Sequence, residues 1–204
     1  MEDFNLMAKG YDTDKRAERA KIIADEIRCH VHNGQEKTAL EFGCGTGLVG
    51  LNLADDFKSL LFVDAFSAMV EQVQQKLRDM GKPVGDAICC NFITDVPRNI
   101  KVDYIFSSLV LHHIKDTKSI LSRLYQVLNQ GGHLLIVDIN ADDGSFHAKY
   151  PDFDGHNGFS RLKIMGLAKT AGFNNVSMKT FYYGSKTVNG EEKPYSLFIL
   201  DAKK

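Results

Sequence analysis

Proline occurs only four times and glycine 17 times in 204 residues, too few for a collagen-like or largely disordered chain. Neither sign of charge prevails: 25 Lys and Arg stand against 26 Asp and Glu, a net charge of −1. That balance gives no electrostatic reason to expect a nucleic-acid backbone or an acidic membrane as partner. No apolar run approaches the ~18 residues of a membrane-spanning helix. No basic segment leads into an apolar run at the N-terminus, so no secretory leader is expected. The four cysteines, Cys29, Cys44, Cys89 and Cys90, form no C-x-x-C pair and no His/Cys cluster with zinc spacing. A reduced, cytoplasmic protein is the expectation. What is present is ordinary globular material, 44% apolar and 25% charged, enough for one domain with a real core.

Apolar periodicity alternates between helix and strand. Residues 16–31 carry Ala20, Ile23, Ala24 and Ile27 on one helical stripe. Residues 38–42 predict a strand ending at glycines, and a helix is expected to begin over 48–54. The apolar run 59–63 predicts a strand covered on both faces. Ser67 offers an N-cap to a helix bearing Met69, Val70, Val73, Leu77 and Met80. Residues 87–90 predict a further buried strand, and 102–110 the next. Asp116 caps a helix with Ile120, Leu121, Leu124, Val127 and Leu128, stopped by Gly131 and Gly132 before a strand at 133–139. This alternation implies βαβ units and a parallel sheet. A helix near 160–171 precedes two strands, 176–183 and 195–202, with no helix between them. Asn189-Gly190 marks the turn, so these strands are expected to pair antiparallel at a sheet edge.

The chemistry begins at Glu41-Phe42-Gly43-Cys44-Gly45-Thr46-Gly47. Glycines are needed where a strand turns sharply and a ligand touches the backbone. Gly45-x-Gly47-x-x-Gly50 matches the dinucleotide fingerprint. Glu41-x-Gly43-x-Gly45-x-Gly47 instead places a carboxylate at the end of the strand, of use to a ligand with a cationic amine and a sulfonium. A nucleoside triphosphate is disfavoured, because no G-x-x-x-x-G-K-[ST] occurs. Asp64, ending the second strand, suits ribose hydroxyls in either ligand class.

On ALEFGCGTG (39–47), VDAFSAM (63–69), VDYIFSSLVLHHI (102–114) and LNQGGHLLIVDI (128–139), the chain resembles the class I S-adenosylmethionine-dependent methyltransferases. It looks most like their ubiquinone and menaquinone methylase branch, from about residue 37 onward. The resemblance implies an α/β, Rossmann-like, doubly wound seven-stranded sheet, mostly parallel with an antiparallel last strand. It also implies S-adenosylmethionine as cofactor. Gly43, Gly45 and Gly47, with Cys44 among them, would approach the methionine end, and Glu41 would hold its amine. Asp64 would take the ribose hydroxyls, with Ala65 beside it, and Met69 would pack by the adenine. Asn91, followed by Phe92, stands where an acidic residue commonly meets the adenine amino group, and Asp86 is its rival. Ser108 and Leu109 would border the methionine, and Tyr11 belongs to a candidate cap.

Positioning outweighs base catalysis in methyl transfer, so a missing base does not argue against activity. The catalytic candidates are His112 and His113 after the fourth strand, and His147. His147 and His156 lie in the long segment 141–159, expected to be a substrate lid over one domain whose residues 1–33 form an N-terminal helical cap. Asp142, Asp143, His147, Asp154 and His156 match no standard ligand spacing, and no metal is expected. The expected reaction is methyl transfer to a small molecule. No N-P-P-Y-type tetrad follows the fourth strand, where Ser107-Ser108-Leu109-Val110 stands. The alternatives are a nicotinamide-dependent oxidoreductase and a cofactor-binding scaffold. The sequence carries no signal for oligomeric state.

Overall fold

A sheet of seven strands, ordered β3-β2-β1-β4-β5-β7-β6, organises the chain. The computed structural model describes residues 4–81, 85–95, 97, 99–150, 152–188 and 190–204. Strands β1 (Thr38–Phe42), β2 (Ser59–Asp64), β3 (Gly85–Cys89), β4 (Val102–Ser108) and β5 (Leu128–Ile139) run parallel to one another. β7 (Glu191–Lys203) lies antiparallel between β5 and β6 (Asn174–Val188). The chain leaves β1 toward β2 and β3, then returns to β4 on the other side of β1. That reversal opens a crevice at the carboxyl ends of β1 and β4, where ligands bind in open α/β sheets.

Strand residues alternate between two cores, because successive side chains point to opposite faces. Leu134 and Ile136 join Leu40, Ile105 and Leu200 under α4 (Thr117–Val127) and α5 (Arg161–Thr170). Leu135 and Val137 join Phe62, Phe106 and Ile199 under α2 (Asp14–Arg28) and α3 (Ser67–Met80). The stripe Ala20, Ile23, Ala24 and Ile27 is the buried face of α2, and Thr13 caps that helix by accepting the Arg16 N–H. Before it come α1 (Phe4–Met7) and a 3-10 turn (Ala8–Gly10), both in contact with α3.

Several expectations need correction. No α-helix forms over 48–54; two 3-10 turns, Gly50–Asn52 and Ala54–Asp56, fill the connection. Gly47 at φ +79° and the close packing of Gly50 leave that segment no room to wind regularly. Ser67 does not cap α3, whose N-cap is Phe66 without a side-chain bond; the Asp64 carboxylate accepts the Phe66 N–H instead. Gly131 and Gly132 lie inside β5, beside a register shift against β4, rather than ahead of it. β3 is an edge strand with only Ala87 buried, so Cys89 stays exposed and Cys90 half-buried. The terminal hairpin is far longer than its apolar cores, because β6 and β7 stay paired beyond them, down to Val188 and Glu191. Its expected turn residue Asn189 lies outside the described residues.

Candidate active site

The turn after β1 is held by the strand beside it. Gly43 and Cys44 donate to the Val63 carbonyl at 2.8 and 3.0 Å, and Gly45 donates to Asp64 Oδ2 at 2.8 Å. Gly43, Gly45 and Gly47 all have positive φ, a region that favours glycine. A Cβ on Gly43 would meet Val110 at 2.4 Å, whereas one on Gly45 would meet nothing within 4 Å. The Gly45 backbone therefore faces open space, which is what a backbone-contacting ligand needs.

Beneath the turn lies Glu41, 1% exposed. Its Oε2 is buried and has no hydrogen-bond partner. Burial pushes the Glu41 carboxyl well above the ordinary carboxylate range; the Gly50 N–H opposes the shift and the Asp64 charge adds to it. A buried acceptor without a donor is costly, and Glu41 is among the residues that line a cavity. Asp64 is nearly as buried, and burial raises its carboxyl against the N–H groups of Phe66, Gly45 and Ala65. It accepts from Gly45 through Oδ2 and from Phe66 through Oδ1. A carboxylate has about four lone-pair sites, so capacity for a ligand remains.

These groups open onto a cavity of about 520 Å³, within the usual range for small-ligand sites. Of the candidates for the cofactor, Tyr11, Glu41, Gly43, Cys44, Gly45, Asp64, Ala65, Met69, Asn91, Phe92, Ser108 and Leu109 line it. Gly47 stands off its wall, against Val73 and Leu51. Asn91 is on the wall with its Oδ1 accepting the Ile93 N–H, while Asp86 is exposed on β3 and is not among the lining residues. Leu109, at φ +57°, holds a left-handed conformation rare for a leucine, in a place where strain and function often coincide. The N-terminal segment is fastened above. Lys76 donates to Asp12 Oδ2 and to the Thr46 carbonyl, both at 2.6 Å. The Arg16 guanidinium lies 4.1 Å from the centre of the Tyr11 ring.

A second cavity of about 390 Å³ shares Tyr11, Arg16, Arg19, Leu109, His113 and Tyr150 with the first. Lys15 and Lys186 add to its positive lining, and no carboxylate is among its described lining residues. The hairpin arm closes one side: Lys15 donates to the Ser185 carbonyl and Lys186 to the Phe146 carbonyl, at 3.1 and 2.8 Å. His112, His113 and His147, which the sequence separates by up to 35 positions, come together on this cavity's wall. Burial lowers His113 to about 3, helped by the neighbouring His112, and lowers His147 to about 4. Both rings are therefore neutral near pH 7.

The sequence reading missed Asp138, hidden as one acid within the apolar strand HLLIVDI; a lone carboxylate in a buried strand is the signal that was available. It also missed Lys15, Arg16, Arg19 and Lys186, which are ordinary surface residues of their elements until the hairpin folds over them. His156 is not at the site: its Nε2 meets Thr117 Oγ1 at 3.0 Å and the Ile114 carbonyl at 3.1 Å, tying segment 141–159 to the β4–α4 connection.

Residues 40–134 match the family described as a methyltransferase domain. An uncharacterized methyltransferase of Schizosaccharomyces pombe is 28% identical over 187 residues, covering 82% of this chain and 64% of that protein. Phosphoethanolamine N-methyltransferase 2 of Caenorhabditis elegans is 26% identical over 166 residues, 77% of this chain and 37% of that one. The chain thus spans less than two thirds of the length of these relatives. Among solved structures, a Bacillus subtilis protein superposes with a TM-score of 0.73 at 14% identity, over 89% of this chain and 97% of its own. Haemonchus contortus phosphoethanolamine N-methyltransferase 2, in complex with phosphomonomethylethanolamine and S-adenosylhomocysteine, gives 0.72 at 17% identity, over 91% of this chain and 52% of its own. These two likenesses establish the fold.

Proposed function

We propose that this chain is a class I S-adenosylmethionine-dependent methyltransferase that transfers a methyl group from S-adenosylmethionine to a small-molecule acceptor, a reading supported by the family match, the relatives and the fold. The observation that carries the reading is the buried, unpartnered Oε2 of Glu41 beneath the open Gly45 backbone. A dinucleotide's phosphates would gain nothing from a buried carboxylate at that position, whereas a cationic amine supplies the donor that Oε2 lacks. Glu41 and the Gly43–Gly45 backbone would hold the amino-acid end, Asp64 the ribose hydroxyls, and Met69, Asn91 and Phe92 the adenine. When bound, S-adenosylmethionine would supply an electrophilic methyl group to the acceptor.

The rest is done by the protein's own groups. Residues 4–33 serve as the cap over the cofactor, anchored by Asp12 to Lys76. Segment 141–159 serves as the lid, and the second cavity receives the acceptor. Its four Lys and Arg residues without a carboxylate favour an acceptor that carries an anionic group. Alignment of acceptor and methyl, together with exclusion of water, supplies most of the acceleration, on the order of 7–11 kcal/mol when geometry is well held. His113 stands on the wall shared by both cavities, but burial lowers it to about 3 and makes it a weak base, so alignment rather than proton removal is the role assigned to the protein here. A cytoplasmic location suits the four free thiols; among the described residues no helix is long and apolar enough to cross a membrane.

Calorimetry with S-adenosylhomocysteine tests the cofactor, with binding expected and reduced nicotinamide giving a flat fluorescence titration. A metabolite panel then tests turnover, with phosphorylated or carboxylated acceptors expected to outrun their neutral counterparts. Absence of S-adenosylhomocysteine binding at millimolar ligand would end the proposal.

A further inference from the structure

We propose that His112, His113 and His147 form a binding site for one divalent transition-metal ion of the zinc class, oriented by the buried carboxylate of Asp138. One ring nitrogen from each histidine lies within 4.8 Å of the others. With zinc about 2.0–2.1 Å from each nitrogen in tetrahedral geometry, ligand nitrogens stand roughly 3.4 Å apart, so ring shifts of about an ångström complete the site. The three residues come from two short 3-10 turns, Leu111–His113 and Ser145–His147, which the fold brings face to face.

Two observations point to a ligand rather than to ring packing alone. His147 is 6% exposed, and its Nδ1 is buried without a hydrogen-bond partner. The ring is stacked on Phe153 at 3.6 Å and 5°, so it is not free to turn toward water. Stacking accounts for the orientation of this ring but leaves its nitrogen unsatisfied, at a cost. Behind His112, Asp138 is 0% exposed and its Oδ1 lies 2.6 Å from His112 Nδ1. The same carboxylate accepts the backbone N–H groups of His112, at 3.2 Å, and Ile139, at 2.7 Å. A carboxylate on one ring nitrogen fixes the tautomer with Nδ1–H and presents Nε2, as in the outer shell of protein zinc sites.

Three imidazoles with neither thiolate nor carboxylate favour zinc and its neighbours over magnesium or calcium. The Lys186 ammonium opposes a cation here, and the Asp138 and Asp142 carboxylates oppose Lys186 in turn. All three rings line the second cavity, so the coordination position left by the protein opens into it. An acceptor hydroxyl or thiol entering that position would bind as its oxyanion or thiolate, its proton passing to solvent, and methylation would need no general base. That role rests on the methyl-transfer reading; the site itself does not, because zinc binding and S-adenosylhomocysteine binding are separate measurements.

The test is a titration of chelator-treated protein with zinc chloride against a chromophoric competitor, repeated with cobalt chloride as a spectroscopic probe. One ion per chain is expected, with a visible cobalt band of tetrahedral, nitrogen-ligated character. His147→Ala should weaken zinc binding at least 100-fold, and Asp138→Asn about 10–100-fold. His133→Ala, at the separate His30–Asp201–His133 group, should change nothing. Zinc binding of equal strength in His147→Ala overturns the proposal. So does the absence of one-to-one binding in the wild type, a result that depends on no variant folding.

Discussion

Gly50 packs directly against the Glu41 carboxylate: a Cβ at Gly50 would stand 2.2 Å from Glu41 Oε2 and 2.5 Å from Phe62 Cε1. A residue that looks like the third glycine of a dinucleotide fingerprint is instead the floor of a carboxylate's compartment. Gly50→Ala should therefore act twice. Overpacking should lower stability by about 1–3 kcal/mol in urea unfolding. Displacement of Glu41 should weaken S-adenosylhomocysteine binding as well. Unchanged binding in a folded variant would separate Glu41 from the ligand.

Glu41 also sets a pH dependence. Its carboxyl is raised chiefly by burial, with Asp64 adding to the shift and Lys76 opposing it. The folded chain therefore holds this proton more tightly than the unfolded chain does. The associated stability is present at acidic pH and is lost as pH rises from the ordinary carboxylate range to the raised folded value. Glu41→Gln removes that loss, so its thermal midpoint should gain on the wild type as pH rises above the ordinary carboxylate range, in the absence of ligand. The same proton must leave when an ammonium binds. Wild-type affinity for S-adenosylhomocysteine should climb with pH across that window, and the Gln variant should be weaker and flatter. Parallel pH profiles would contradict this account.

Asp64 joins the glycine turn to the start of α3 through Gly45 and Phe66. Asp64→Ala should weaken S-adenosylhomocysteine by about 10–100-fold, the value of one or two charge-assisted hydrogen bonds. Isothermal calorimetry reads it directly. Asp64→Asn keeps the shape and should recover part of the loss, because one acceptor oxygen remains.

His156 offers a test of the proposed lid without touching either cavity's chemistry. Its two bonds to Thr117 and Ile114 anchor segment 141–159. His156→Ala should cost roughly 1–2 kcal/mol and speed amide exchange in residues 141–159, with S-adenosylhomocysteine affinity nearly unchanged. Equal exchange in variant and wild type would show that the lid is held by other contacts.

Local pattern was enough for most of the frame. The α2 stripe, the apolar runs of β2 and β4, and the capping aspartate of α4 follow from periodicity and side-chain chemistry, which act over a few residues. The β1–β2 connection did not follow, because Gly50 is committed to Glu41 and Phe62, which are apart in sequence. The glycine turn, Asp64 and the acidic strand end at Glu41 were legible for the same local reason as the frame: a tight turn next to a strand demands particular residue types.

By itself, then, the sequence determined the α/β class of the fold and the glycine turn with its two flanking acids, since both rest on short-range rules of backbone conformation. Only the tertiary structure decided the rest. It put Asp138 behind His112, set His147 beside both, and laid the hairpin arm with Lys186 across the N-terminal basic residues. Those groups meet because β5 lies next to β4 in the sheet and β7 next to β5. Such neighbours are fixed by long-range burial and strand pairing, which no window of sequence contains.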